Sequence, residues 1–283
     1  MTTTTPTGAT PQPTWRPMRR HPLTAVAALV TASILLAGCT SSAGGATASS
    51  SAAATAANAV TGAINVFAAA SLTESFTTLG TQFEAAHPGT KITFVFGPSS
   101  GLATQITQGA PADVFASASG KNMDAVVAAK AAGTPMPFAR NVAEIAVPPA
   151  NPANITTLAD LAKPGVKLAL CEPEVPCGAL AAQVLARAGL KVTPATLEAD
   201  VKATLTKVEL GEVDASVVYV TDVRAAGSKV RGIEIPAAVN ATTSYPIAAL
   251  TASKNPALAQ VFVDYVLSAD GARALAAAGF QKP

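Results

Sequence analysis

Histidine is nearly missing from this chain: there are two in 283 residues, His21 and His87. His21 lies in an amino-terminal leader, so a catalytic imidazole could only be His87. That residue sits in His87-Pro88-Gly89, a turn sequence between a helical and a strand pattern. A serine nucleophile would have one ill-placed partner to draw on. Cysteine is scarce too, at three residues, and no Cys/His spacing matches a zinc site. Aromatics make up 5% of the chain and no basic run occurs, which argues against a nucleic-acid surface. There is no Walker loop and no dinucleotide glycine pattern. These absences point away from catalysis, with no cofactor and no directly coordinated metal expected. A serine hydrolase built on His87 stands as the contrasting class.

The leader is legible. Arg16, Arg19 and Arg20 precede an apolar run over 23–37, a signal-peptide core too short for an ordinary membrane span. It ends in Leu35-Leu36-Ala37-Gly38-Cys39, which resembles the bacterial lipoprotein cleavage box. The resemblance implies a signal peptide over 1–38, cleavage before Cys39 and a lipid on the Cys39 sulfur, on the outer face of the cell membrane. Translation could start at Met1 or at Met18. Residues 39–62 are rich in Ser, Ala, Thr and Gly without charge or apolar period, and read as a flexible tether. Loss of three arginines with the leader, and of no acidic residue, takes the net charge from +2 to −1.

Beyond the tether, short apolar runs alternate with amphipathic patterns. Strands are expected at 64–68, 91–96, 113–116, 142–147, 166–170, 214–220, 232–235 and 245–251. Helices are expected at 72–86, 102–108, 121–132, 179–188, 201–210, 256–267 and 271–278. This order predicts an α/β fold with mainly parallel sheets flanked by helices. Ligands in such sheets sit outside the carboxyl ends of the strands. Pro148, Pro149 and Pro152 mark a break. The expected division is 63–141 with 245–283 as one lobe, and 142–244 as the other.

Two strands run into serines that open helices: Phe67-Ala68-Ala69-Ala70-Ser71 and Phe96-Gly97-Pro98-Ser99. Each serine could be a simple N-cap. Two in tandem at neighbouring strand ends suggest instead an anion site made of hydroxyls and free helix N–H groups. Cys171-Glu172-Pro173-Glu174-Val175-Pro176-Cys177-Gly178 joins a strand to a helix, and Pro176 and Gly178 would leave bare N–H groups there. Cys171 and Cys177 admit a disulfide outside the cytoplasm, while a metal pair lacks any nearby histidine. Asp200 is a natural N-cap for the helix beginning at Val201. Tyr219 closes an apolar strand, either as a buried phenol with one partner or as a hydroxyl reaching a cleft. Asp222, three residues on, would orient the turn. Asp113 reads as a turn-fixing carboxylate.

These segments, with Gly109-Ala110-Pro111-Ala112-Asp113, Val218-Tyr219 and Tyr245-Pro246, resemble the periplasmic molybdate-binding proteins of ABC importers across nearly all of 64–282. The resemblance implies a two-lobed, type II periplasmic-binding fold that closes on molybdate or tungstate. It implies a monomer that delivers its ligand to a membrane permease and its ATPase. Carried over by motif, the ligand positions are the hydroxyls and amides of Ser71 and Ser99, the backbone N–H groups of Cys177 and Val201, and the Tyr219 hydroxyl. A receptor for sulfate, phosphate or another tetrahedral oxyanion is the alternative within this class.

Overall fold

The computed structural model of the protein describes residues 60–283. The expected signal peptide, the expected lipidation site at Cys39 and nearly all of the expected tether lie outside the described residues.

The first half begins with β1 (Gly62–Ala69), a 3-10 turn at Ala70–Leu72, and α1 (Thr73–Ala86). It continues through β2 (Thr90–Gly97), α2 (Ser99–Thr107), β3 (Val114–Ala116) and α3 (Gly120–Ala128). β1 is sandwiched between β2 and β3, parallel to both. Its side chains alternate between two apolar clusters: Ile64, Val66 and Ala68 pack with Leu72, Phe76 and Phe262, while Phe67 packs with Leu102, Ile106 and Met123. A period of two with both faces buried is why the strand reads as an almost unbroken apolar run.

The chain then enters β4 (Met136–Val147), twice as long as the expected strand at 142–147. Its beginning pairs antiparallel with β9 (Thr242–Ala249), and its end pairs with β7 (Ala215–Tyr219) and β8 (Arg231–Glu234). The strand thus changes its pairing partners near Asn141, ahead of Pro148, Pro149 and Pro152. The second half adds β5 (Leu168–Cys171), α4 (Pro176–Arg187), β6 (Thr196–Glu198), α5 (Val201–Glu209) and α6 (Val220–Ala226). β5, β6 and β7 are parallel. β9 carries the chain back to pair with β3, and α7 (Pro256–Leu267) and α8 (Ala269–Ala278) complete the first half.

The sheet order is β2-β1-β3-β9-β4-β7-β5-β6, with β8 on β4. The parallel pairs expected from βαβ alternation form the core of each half, while the two crossing strands, β4 and β9, run antiparallel. One strand and one α-helix are new relative to the sequence expectation. β6 is a three-residue strand with Leu197 half exposed, too short to show a period. α6 follows β7 without a break, because Asp222 accepts the Tyr219 N–H at 3.1 Å and turns an apolar, β-branched run into a helix.

Candidate functional site

The two halves face each other across a small cleft with about 20 Å³ of free space. That is far below the roughly 300–1,000 Å³ usual for drug-sized ligands, and restricts the cleft to a small ion. Ser71, Ser99, Cys177, Val201 and Tyr219 all line it, and all five are buried. They come from five different segments. The fold brings them together because each stands where a strand hands over to a helix or turn.

Neither serine caps its helix, contrary to the simpler reading of both. Ser71 lies in the 3-10 turn before α1, and its Oγ is 2.8 Å from the Tyr245 hydroxyl. Ser99 is the first residue of α2, whose N-cap is Pro98. Its Oγ accepts the Ala118 N–H at 3.0 Å, and the Ala118 carbonyl is held in turn by Thr243 Oγ1 at 2.6 Å. A hydroxyl that accepts from a backbone N–H keeps its one hydrogen for another acceptor. The Ser99 hydrogen is therefore left available, and Ser99 lines the cleft.

On the facing side, Asp200 is the N-cap of α5, as its sequence position predicts. Its Oδ1 accepts from Lys202 N at 2.8 Å and Ala203 N at 2.9 Å. This consumes the second and third amides of the helix and leaves the first, Val201 N–H, without an acceptor among the described residues. α4 begins at Pro176, three residues earlier than expected, so Cys177 N–H falls in its first turn and is likewise untaken among the described residues. Cys171 and Cys177 are joined by a disulfide with Cα atoms 5.8 Å apart, which ties the start of α4 to the end of β5. Gly178 is required beside it: a Cβ there would stand 2.0 Å from the Glu172 carbonyl oxygen.

Tyr219 ends β7 at the wall of the cleft. Its ring is fully buried, and its hydroxyl has no hydrogen-bond partner among the described residues. Burial raises the phenol pKa well above its ordinary value, with the Tyr245 phenol and the Asp222 carboxylate acting the same way. The hydroxyl stays protonated and can donate. An orphaned buried polar atom beside a cleft marks a place for a ligand.

No Lys, Arg or His is among the cleft-lining residues; Asp200, occupied by its capping bonds, is the one charged side chain there. The arrangement is a set of neutral O–H and N–H donors at helix starts. His87 is elsewhere, at the far end of α1, where Nδ1 is 3.0 Å from the Phe83 carbonyl oxygen and the ring stacks on Phe83. Fourteen helical residues, about 20 Å, separate it from Ser71. The serine–histidine pairing is not formed. Asp113 fixes a turn, as expected, accepting Asn65 N–H at 2.7 Å and the Ser253 hydroxyl at 2.6 Å.

Two residues behind the cleft were not assigned a role from sequence: Tyr245, seen only as part of a motif, and Asn141, which stood only at a boundary. A lone amide beside the apolar run at 142–147 was the available signal for Asn141.

Among known proteins, the sequence profile described as bacterial extracellular solute-binding protein matches residues 64–281. The molybdate-binding protein ModA of Mycobacterium tuberculosis (strain ATCC 25618 / H37Rv) is 44% identical over 221 residues, covering 78% of this chain and 85% of that one. ModA of Escherichia coli (strain K12) is 34% identical over 241 residues, 77% of this chain and 89% of that one. The solved periplasmic molybdate-binding protein of Azotobacter vinelandii superposes with a TM-score of 0.69 at 21% identity, over 78% of this chain and 99% of that one. The two-lobed α/β architecture and the match along most of its length make this chain a member of the bacterial extracellular solute-binding proteins.

Proposed function

We propose that this protein captures molybdate, and tungstate as well, between its two lobes outside the cytoplasm and delivers it to an ABC permease and its ATPase. The observation that carries the reading is the convergence of five neutral donors, Ser71, Ser99, Cys177, Val201 and Tyr219, on one small cleft that no cationic side chain lines. Hydrogen bonds to a charged group contribute about 1.5–3 kcal/mol each, so five can hold a dianion without a formal countercharge. Neutral donors also suit a carrier that must release its cargo. Molybdate and sulfate share charge and shape, so preference between them rests on the size of the cleft. The named relatives are molybdate-binding proteins, which supports the choice of ion.

The lobes are read as 63–141 with 245–283, and 142–244, hinged where β4 and β9 run side by side. Anchoring through a lipid on Cys39 and action as a monomer complete the proposal. A receptor of this kind needs no chemistry at the site, which agrees with the position of His87 away from the serines.

A thermal-shift series with molybdate, tungstate, sulfate and phosphate tests the ion. Molybdate and tungstate should raise the melting temperature at concentrations where sulfate and phosphate do not. Sulfate acting at the same concentration as molybdate would replace this reading with a general oxyanion receptor.

A further inference from the structure

Behind Ser71 lies a chain of buried polar groups in which one backbone N–H fixes the orientation of the amide at its far end. Asn141 Oδ1 accepts the Val142 N–H at 3.0 Å. A backbone N–H can only donate, so this bond fixes which end of the Asn141 amide is oxygen. Nδ2 is then turned the other way, donating to Thr221 Oγ1 at 2.8 Å and to the Tyr245 hydroxyl at 3.4 Å. Nδ2 has no lone pair to offer. Tyr245 therefore accepts from Asn141 and keeps its single hydrogen, for which Ser71 Oγ at 2.8 Å and the Tyr219 hydroxyl are the two neighbours; the short contact to Ser71 favours the first. In that arrangement Ser71 accepts from Tyr245, and its own hydrogen is released toward the cleft.

We infer that Tyr245, held by Asn141, is a positioning residue for ligand capture: it sets the direction of the Ser71 hydroxyl so that Ser71 meets an oxyanion as a donor. This rests on the oxyanion reading of the cleft. The relay also lies at the crossing between lobes. Asn141 is on β4 and Tyr245 on β9, in the stretch where those strands pair, while Thr221 belongs to α6 of the second half. The amide that orders Ser71 thus bonds to both halves of the molecule. Asn141, Thr221, Tyr245 and Ser71 are all at least nine-tenths buried, so bulk water does not offer Ser71 a competing donor. The same logic already holds at Ser99, where the Ala118 N–H plays the part of the Tyr245 hydroxyl. Both serines line the cleft with a hydrogen left to donate.

The test is a double-mutant cycle on the full-length chain, titrated calorimetrically with molybdate. Tyr245→Phe keeps the ring and removes the directing hydrogen; it should weaken binding about tenfold. Ser71→Ala should weaken it by about tenfold to a hundredfold, and Tyr245→Phe should add nothing further in that background. A packing role for Tyr245 would instead cost the same with or without the Ser71 hydroxyl. Asn141→Leu provides the second route, with a smaller loss that also vanishes when Ser71 is alanine. It decides the question if Tyr245→Phe lowers the ligand-free melting temperature too far to titrate. Unchanged affinity in Tyr245→Phe, or losses that multiply with Ser71→Ala, would overturn the inference while leaving the receptor reading intact. A wild-type chain that takes up neither molybdate, tungstate nor sulfate would overturn the receptor reading and this inference with it.

Discussion

Lys202 reaches across the cleft to Glu74: its Nζ lies 2.8 Å from Glu74 Oε2, and 3.2 Å from Asp222 Oδ1 on its own side. Glu74 stands in the first turn of α1, three residues after Ser71, and Lys202 directly follows Val201. The ion pair therefore fastens together the two sides that carry the candidate donors. Burial lowers the Lys202 pKa, but the charges of Asp222 and Glu74 more than reverse that, so the ammonium is firmly protonated.

Glu74→Gln keeps the size of the side chain and removes the cross-cleft charge. Glu74 is half exposed, so the pair contributes no more than about 1 kcal/mol. Ligand release should quicken by roughly twofold to fivefold, with the difference shrinking at high salt. Stopped-flow dissociation at two ionic strengths measures it. Equal release rates at low salt would show that the pair does not hold the lobes together.

Ser99→Ala should weaken molybdate binding by about 1.5–3 kcal/mol, tenfold or more, because it deletes a donor to a charged group. Ser100→Ala, on the residue beside it, should leave affinity within about twofold, since Ser100 does not line the cleft. Calorimetry on the two variants reads this directly. Reversal of the two effects would move the ligand to the neighbouring hydroxyl.

Asp222 makes stability pH-dependent. Burial pushes its carboxyl up to about 6, against the pull of Lys202 and of the Tyr219 N–H. The ordinary unfolded value is about 3.9, so the folded state holds the proton more tightly. The resulting stability is fully present below pH ~4 and is lost as pH rises through ~6, by ~3 kcal/mol on this group alone. Asp222→Asn should remove that component. Urea unfolding of wild type and variant at pH 4.5 and 7 gives the comparison; parallel pH profiles would refute the assignment.

The disulfide between Cys171 and Cys177 closes a loop of six positions. By loop entropy it stabilises the fold by about 2 kcal/mol, and the Cys171→Ser, Cys177→Ser double variant should lose about that much in denaturant unfolding. Since the bond also holds the start of α4, where Cys177 N–H faces the cleft, molybdate affinity should fall with it. Wild-type affinity in the double variant would mean that Pro176 and Gly178 position the turn by themselves.

Local signals were enough for some of this protein and insufficient for the rest. Strand β1 was readable because alternate residues meet two different apolar clusters, leaving an unbroken apolar run that ends in Ser71. Asp200 was readable as a cap because capping is a bond between residues two and three apart. α6 was not, because Val220, Thr221 and Val223 carry strand preference and only the Asp222 carboxylate, buried against β7, overrides it.

The five candidate donors were picked out by their places at strand-to-helix junctions and by family resemblance. Their convergence on one cleft, and the failure of both serines to act as caps, required the fold. Ser71 finds Tyr245 across 174 positions of chain, and Lys202 finds Glu74 across 128. The sequence alone determined which groups could donate, since that depends on residue type and neighbouring backbone. Only the tertiary structure decided where each hydrogen goes. That direction is set by what a hydroxyl accepts, and the partners that set it at Ser71 come from β4 and β9, where the chain crosses between lobes.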